Sequence, residues 1–129
     1  MSSQFILAVD DDPAILDLIA ELLGYEGYTV ITTGEGSIAV SMARANPPAL
    51  ILLDLMMPQM SGWQVVAELR STPRTRVIPV VLLSARRDLP TTAQELEITS
   101  FLEKPFELDA LLNIVGQFVE RTPTGPTRI

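Results

Sequence analysis

Apolar residues in this chain fall into short unbroken runs, separated by longer stretches in which they recur every three or four positions. Phe5–Val9 is such a run, the pattern of a strand covered on both faces. It halts at Asp10-Asp11-Asp12, where Asp12 suits a helix N-cap and Pro13 the first helical position. Ile15, Leu16, Ile19, Leu22 and Leu23 then follow at helical spacing, and Gly24 is the expected C-cap. Tyr28–Thr32 reads as a second strand, and Ile38, Ala39, Met42 and Ala43 as a weaker helix closed by Asn46-Pro47-Pro48. Leu50–Leu53 forms the core of a third buried strand ending at Asp54.

Beyond the loop Leu55–Met60, Ser61 can cap a helix carrying Trp63, Val66 and Leu69, ended by Ser71-Thr72-Pro73. Pro79–Leu83 reads as a fourth strand with proline at its first position. Pro90 opens a short, poorly amphipathic helix around Thr91–Glu97, and Ser100–Glu103 is a short fifth strand halted by Lys104-Pro105. The last helix carries Leu108, Leu111, Leu112, Val115 and Val119. Five strand–helix units in one pass imply a parallel sheet joined by right-handed crossovers, a doubly wound three-layer sandwich. Its functional crevice belongs at the carboxyl ends of the strands. Residues 1–121 are expected to form one domain, and 122–129, with linker composition, a C-terminal tail or linker stub.

Composition narrows the chemistry. The chain has 129 residues, 47% hydrophobic, with a mean hydropathy of +0.30, which argues against intrinsic disorder. No apolar run approaches the roughly 18 residues of a membrane span, and the N-terminus lacks a basic secretory leader, so a cytoplasmic domain is expected. Without cysteine there are no disulfides, thiolate metal sites or cysteine nucleophiles, and without histidine no imidazole chemistry. A net charge of −7 argues against direct nucleic-acid binding. Carboxylates, hydroxyls, amines and backbone are left to carry any chemistry.

Those groups collect at the strand ends: Asp10 and Asp11 after the first, Asp54 after the third, Ser84 after the fourth and Lys104 after the fifth. Two carboxylates about 4 Å apart repel by about 4 kcal/mol at an effective dielectric near 20, so such a cluster calls for a cation. An all-oxygen site suits Mg²⁺. Lys104 is the only lysine, a compact charge suited to following an anion, although a rim salt bridge with Asp54 is the ordinary alternative. Singly, Asp10–Asp12 reads as a turn plus cap, Asp54 as a strand terminator and Phe101 as core. Their joint occurrence at four strand ends is what points to function.

Ala8-Val-Asp-Asp-Asp-Pro13, Leu53-Asp-Leu-Met-Met-Pro58 with Ser61-Gly62, Val80-Val-Leu-Leu-Ser-Ala85 and Phe101-Leu-Glu-Lys-Pro-Phe106 together resemble the receiver domain of bacterial two-component response regulators. The resemblance covers roughly Phe5 to Val119. It implies an α/β, flavodoxin-like fold with a five-stranded parallel sheet in the order 2-1-3-4-5 and helices on both faces. It also implies that Asp54 is the phosphoacceptor, and that Asp10, Asp11, Asp54 and the backbone carbonyl of Met56 hold Mg²⁺ or Mn²⁺. Ser84 and Lys104 would contact the phosphoryl group, Ser84 and Phe101 would form the switch, and Lys104-Pro105 would be cis. The donor would be a histidine kinase or histidine phosphotransfer protein, with the domain catalysing its own phosphorylation and dephosphorylation rather than acting on a separate metabolite. Switching would change the face formed by the 91–97 helix, the fifth strand and the last helix, regulating a downstream protein; a monomer or weak homodimer is expected.

The chain departs from that pattern in the 86–99 segment, which is slightly short and has Glu97-Ile98-Thr99 where a Gly-Ala pair is common. Apolar Met56, at a position that influences dephosphorylation in receivers, predicts a long-lived phosphoryl state. A stand-alone domain is the leading expectation, since the sequence ends soon after the last helix. The alternatives are the receiver part of a larger hybrid kinase or regulator, and a phosphorylation-independent interaction module on the same fold. A flavodoxin-like cofactor binder fits poorly, because the acidic loop after the first strand would repel a phosphate. An Asp-x-Asp phosphohydrolase also fits poorly, because Pro13 marks Asp12 as a cap.

Overall fold

The computed structural model describes residues 4–85, 94, 98 and 100–119. Its strands are β1 (Ile6–Val9), β2 (Val30–Thr33), β3 (Leu50–Asp54), β4 (Val80–Ser84) and β5 (Ser100–Glu103). The helices are α1 (Pro13–Tyr25), α2 (Gly36–Ala45), α3 (Gly62–Arg70), the one-turn α4 (Pro73–Arg76) and α5 (Leu108–Gly116). All strand pairs are parallel, in the order β2-β1-β3-β4-β5, as the resemblance implies.

Alternate residues of each central strand enter opposite layers, because side chains along a strand point to opposite faces. Leu7, Val9, Ile51 and Leu53 pack with Ala39, Val40 and Ala43 of α2 and with Val65, Val66 and Leu69 of α3. Ile6, Ala8, Leu50 and Leu52 pack on the other side with Leu16, Ile19 and Leu23 of α1 and with Leu111 and Val115 of α5. The continuous apolar runs are therefore the centre of a sandwich. No helix among the described residues is long and apolar enough to cross a membrane.

Two caps fall where the sequence places them. The Asp12 carboxylate accepts the Ala14 N–H, and Ser61 with Gln64 forms a reciprocal capping box. The end of α1 does not: the helix runs through Gly24 to Tyr25, and the left-handed residue is Gly27, with φ 96°. The Tyr28 N–H donates to the Leu23 carbonyl and the Gly27 N–H to that of Gly24, the bond pair of a Schellman motif. Buried Tyr28 thus closes a helix, and β2 begins two residues after it.

The fourth strand starts at Val80, and the Pro79 carbonyl just before it accepts the Ile51 N–H. The extra turn at Pro73–Arg76 is anchored by the buried Thr75 hydroxyl, which donates to the Leu69 carbonyl. Ile38 is exposed, leaving Ala39, Val40 and Ala43 as the inner face of α2. Of the helix expected around Thr91–Glu97 only Gln94 is among the described residues, and it is helical; the tail beyond residue 119 lies outside them.

Candidate functional site at the strand ends

Asp10 directly follows β1, Asp54 and Ser84 are the last residues of β3 and β4, and Lys104 directly follows β5. In a parallel sheet all four ends lie along one edge, which is how segments remote in sequence come together. The two strand-ending aspartates use the same local device. One oxygen, Oδ1, accepts an N–H two residues ahead: Asp12 N–H to Asp10 at 2.9 Å, and Met56 N–H to Asp54 at 3.2 Å. Each bond turns the chain away from its strand and leaves Oδ2 for the rim.

Between those Oδ2 atoms lies the Lys104 ammonium, 2.5 Å from Asp10 and 3.6 Å from Asp54. Asp10 and Asp54 are buried, with 1% and 4% of their surface exposed, whereas Asp11 is exposed. The lysine backbone is fixed by its N–H bond to the Ser84 carbonyl at 2.8 Å and is followed by a cis peptide to Pro105. Burial, and secondarily the Asp10 charge, push the Asp54 carboxyl up to about 6, against opposing contributions from Lys104 and the Met56 N–H; Asp11 adds a smaller upward push.

One oxygen each from Asp10, Asp11 and Asp54 lies within 4.8 Å of the others. Three carboxylates facing one ammonium leave two negative charges uncompensated. That surplus and the all-oxygen donor set fit a hard divalent ion such as Mg²⁺.

Two backbone positions shape this edge. A Cβ on Gly62 would sit 2.6 Å from the Leu55 Cα and 2.7 Å from the Asp54 carbonyl oxygen, so α3 approaches β3 as only glycine permits. Gln59, in the loop between them, has φ 65°. The Ser61-Gly62 motif by itself assigns Gly62 no physical role; glycine directly after a cap was the available signal. Ser84 is fully buried and reaches Lys104 through its backbone carbonyl. Phe101 of β5, in register with Leu82 of β4, is half-buried against the core on the α2–α3 side. The Met56 side chain is 55% exposed on the rim.

The family model for the response regulator receiver domain matches residues 6–116. Among curated proteins, the chain is 33% identical over 119 residues to a probable transcriptional regulatory protein, TcrX, of Mycobacterium tuberculosis, covering 91% of this chain and 50% of that protein. It is 37% identical over 123 residues to the DNA-binding dual master transcriptional regulator RpaA of Synechocystis, covering 94% and 51%. The chain thus spans about half the length of these relatives. Among solved structures, chemotaxis protein CheY4 of Vibrio cholerae superimposes with a TM-score of 0.82 at 26% identity, covering 92% of this chain and 100% of that one. The receiver domain of the sensor histidine kinase PA1611 of Pseudomonas aeruginosa, described with magnesium coordinated in its active-site cleft, gives 0.81 at 28% identity, covering 91% and 98%. With its strand order, its acidic edge and a match over residues 6–116, this chain belongs to the response regulator receiver domain family.

Proposed function

We propose that this domain is a phosphoacceptor that takes a phosphoryl group from a histidine kinase or histidine phosphotransfer protein onto Asp54 in a Mg²⁺-dependent reaction. The observation that carries this reading is the Asp10, Asp11 and Asp54 oxygen cluster with the Lys104 ammonium set between two of its members. Asp10, Asp11, Asp54 and the Met56 backbone carbonyl would hold the ion, and Mg²⁺ (or Mn²⁺) would supply positive charge for the equatorial oxygens of the transferring group.

The chain's own residues do the rest. Asp54 offers its rim oxygen as nucleophile. The Met56 N–H orients the carboxylate through the other oxygen, and Lys104 neutralises charge that builds on the phosphoryl oxygens. Transfer forms an O–P bond at Asp54 and breaks the P–N bond of the donor's phosphohistidine. Hydrolysis of the resulting acyl phosphate ends the signal. The Ser84 hydroxyl and Phe101 then bias two packings of the face around β5, regulating a downstream protein or a further part of a longer regulator. A cytoplasmic setting suits that role.

Intact mass spectrometry after incubation with Mg²⁺ and acetyl phosphate tests the assignment. One hydroxylamine-labile phosphoryl adduct is expected on the wild type and none on Asp54→Asn. No wild-type adduct with several small-molecule donors, or an undiminished adduct on the variant, overturns it.

A further inference from the structure

We propose that the arginine-bearing edge opposite the carboxylate rim is a docking site for an acidic segment of a partner protein, with one bulky apolar side chain of that segment seated between α3 and the start of β4. The inference is independent of the phosphoacceptor reading, since none of its residues belongs to the acidic site.

The chain carries a net charge of −7, yet residues 55–85 hold Arg70, Arg74 and Arg76 against one acid, Glu68. That acid is already engaged by Arg44, at 3.1 Å. Every arginine among the described residues lies in the last turn of α2, the last turn of α3 or the one-turn α4. Among the described residues no carboxylate pairs with Arg74 or Arg76. Cations at helix C-termini complement the helix dipole, which accounts for Arg44 and Arg70. It does not account for the apolar opening beside them.

A cavity of about 200 Å³ opens there, lined by buried Val66, Leu69, Ile78 and Ile98 together with half-buried Arg70 and exposed Arg76. Arg76 Nε–H donates to the Arg70 carbonyl at 3.2 Å, which steers its guanidinium along this edge. Val77, directly before Ile78, is 78% exposed and extends the apolar surface outward. The turn that presents these groups is pinned by the Thr75 hydroxyl bond to the Leu69 carbonyl, so the site is preformed.

The volume is below the roughly 300–1,000 Å³ of sites for drug-sized molecules and suits a single inserted side chain. An apolar pocket rimmed by arginine has the composition of a protein-binding hot spot. A nucleic-acid strand would satisfy the arginines and leave the apolar wall facing phosphates. The chain's own residues 120–129 carry Arg121 and Arg128 against Glu120, the wrong charge for this surface. An acidic segment offers carboxylates to Arg74 and Arg76 while an apolar residue among them fills the cavity. Val80, which lines the cavity, starts β4, and Ser84 ends it about 13 Å away, so a partner docked here leaves the carboxylate rim open.

Random peptides displayed on phage supply the probe. They are first depleted on the chain carrying Arg74→Glu and Arg76→Glu, which removes binders of other surfaces, and then panned on the wild type. The enriched sequences are expected to set a bulky apolar residue among acidic ones. A synthetic copy of the most enriched peptide should shift the methyl NMR signals of Val66, Leu69 and Ile78 and leave the backbone amides of Asp11 and Met56 in place. Its affinity should fall with added NaCl. Arg74→Gln and Arg76→Gln, with circular dichroism confirming the native fold, should each weaken it about tenfold. No enrichment, enrichment without the acidic pattern, shifts confined to other surfaces, or unchanged affinity in both folded variants overturns the proposal. Oligouridylate and phosphatidylserine vesicles are titrated in parallel. If either moves those methyls and the peptide does not, the edge takes phosphate-bearing partners and the peptide assignment falls. Should a variant fail to fold, the methyl map on the wild type decides alone.

Discussion

Asp10 and Asp54 spend one oxygen in the same way and differ in the compensation available to the other. Lys104 lies against Asp10, while Asp54, buried and facing the Asp10 charge, is pushed up to about 6. A carboxyl raised in the folded state keeps a proton that the unfolded chain has already released, so stability from this group falls as pH rises from about 4 to about 6 and is flat above. In metal-free protein, the urea-unfolding free energy of Asp54→Asn should exceed that of wild type by an amount that grows across this window, by about 3 kcal/mol at most near pH 7. Equal midpoints at pH 4.5 and 7 would refute the charge burden. Gly62 gives a second prediction at this scale. Gly62→Ala places a methyl against the Leu55 and Asp54 backbone and should cost about 1–3 kcal/mol in urea unfolding, with reduced Mg²⁺ affinity as the strand end is displaced.

The helices show how a local signal is read in the wrong place. Gly24 sits where the apolar spacing pauses and looks like a terminator, yet it lies inside α1 with open space within 4 Å of where a methyl would stand, while Gly27 carries the left-handed turn. Gly24→Ala should therefore stabilise the domain by about 0.5–1 kcal/mol through helix propensity. Gly27→Ala should destabilise it by about 1 kcal/mol, because an L side chain is strained at φ 96°. Thermal melts of the two variants should move in opposite directions; the reverse pattern would restore Gly24 as the cap. The cap at Asp12 was legible because proline beside an acidic residue fixes a helix start in one step, whereas a glycine near a helix end is satisfied by several geometries.

Across the whole sheet, β1, β3 and all but the first residue of β4 are buried, whereas the edge strands β2 and β5 retain exposure along their length. Native-state hydrogen exchange should accordingly be slowest in Leu7–Val9 and Ile51–Leu53 and faster in β2 and β5. Uniform protection across all five strands would contradict this ranking. The arrangement also suits the proposed switch, since Phe101 and Lys104 belong to or adjoin an edge strand while Asp10 and Asp54 end the rigid centre.

Apolar runs, prolines and strand-end acids were enough to specify the five strands, the parallel sandwich and the residues that gather at its edge, because burial on both faces forces an unbroken hydrophobic pattern and parallel strands share one carboxyl end. Three-dimensional packing settled matters that no linear pattern encodes. It chose Asp10 over Asp54 as the nearer partner of Lys104, put the left-handed turn at Gly27, and made Gly62 the point of closest backbone approach. Each of these depends on distances between segments far apart in the chain, or on which of several locally acceptable conformations the surrounding core will accept.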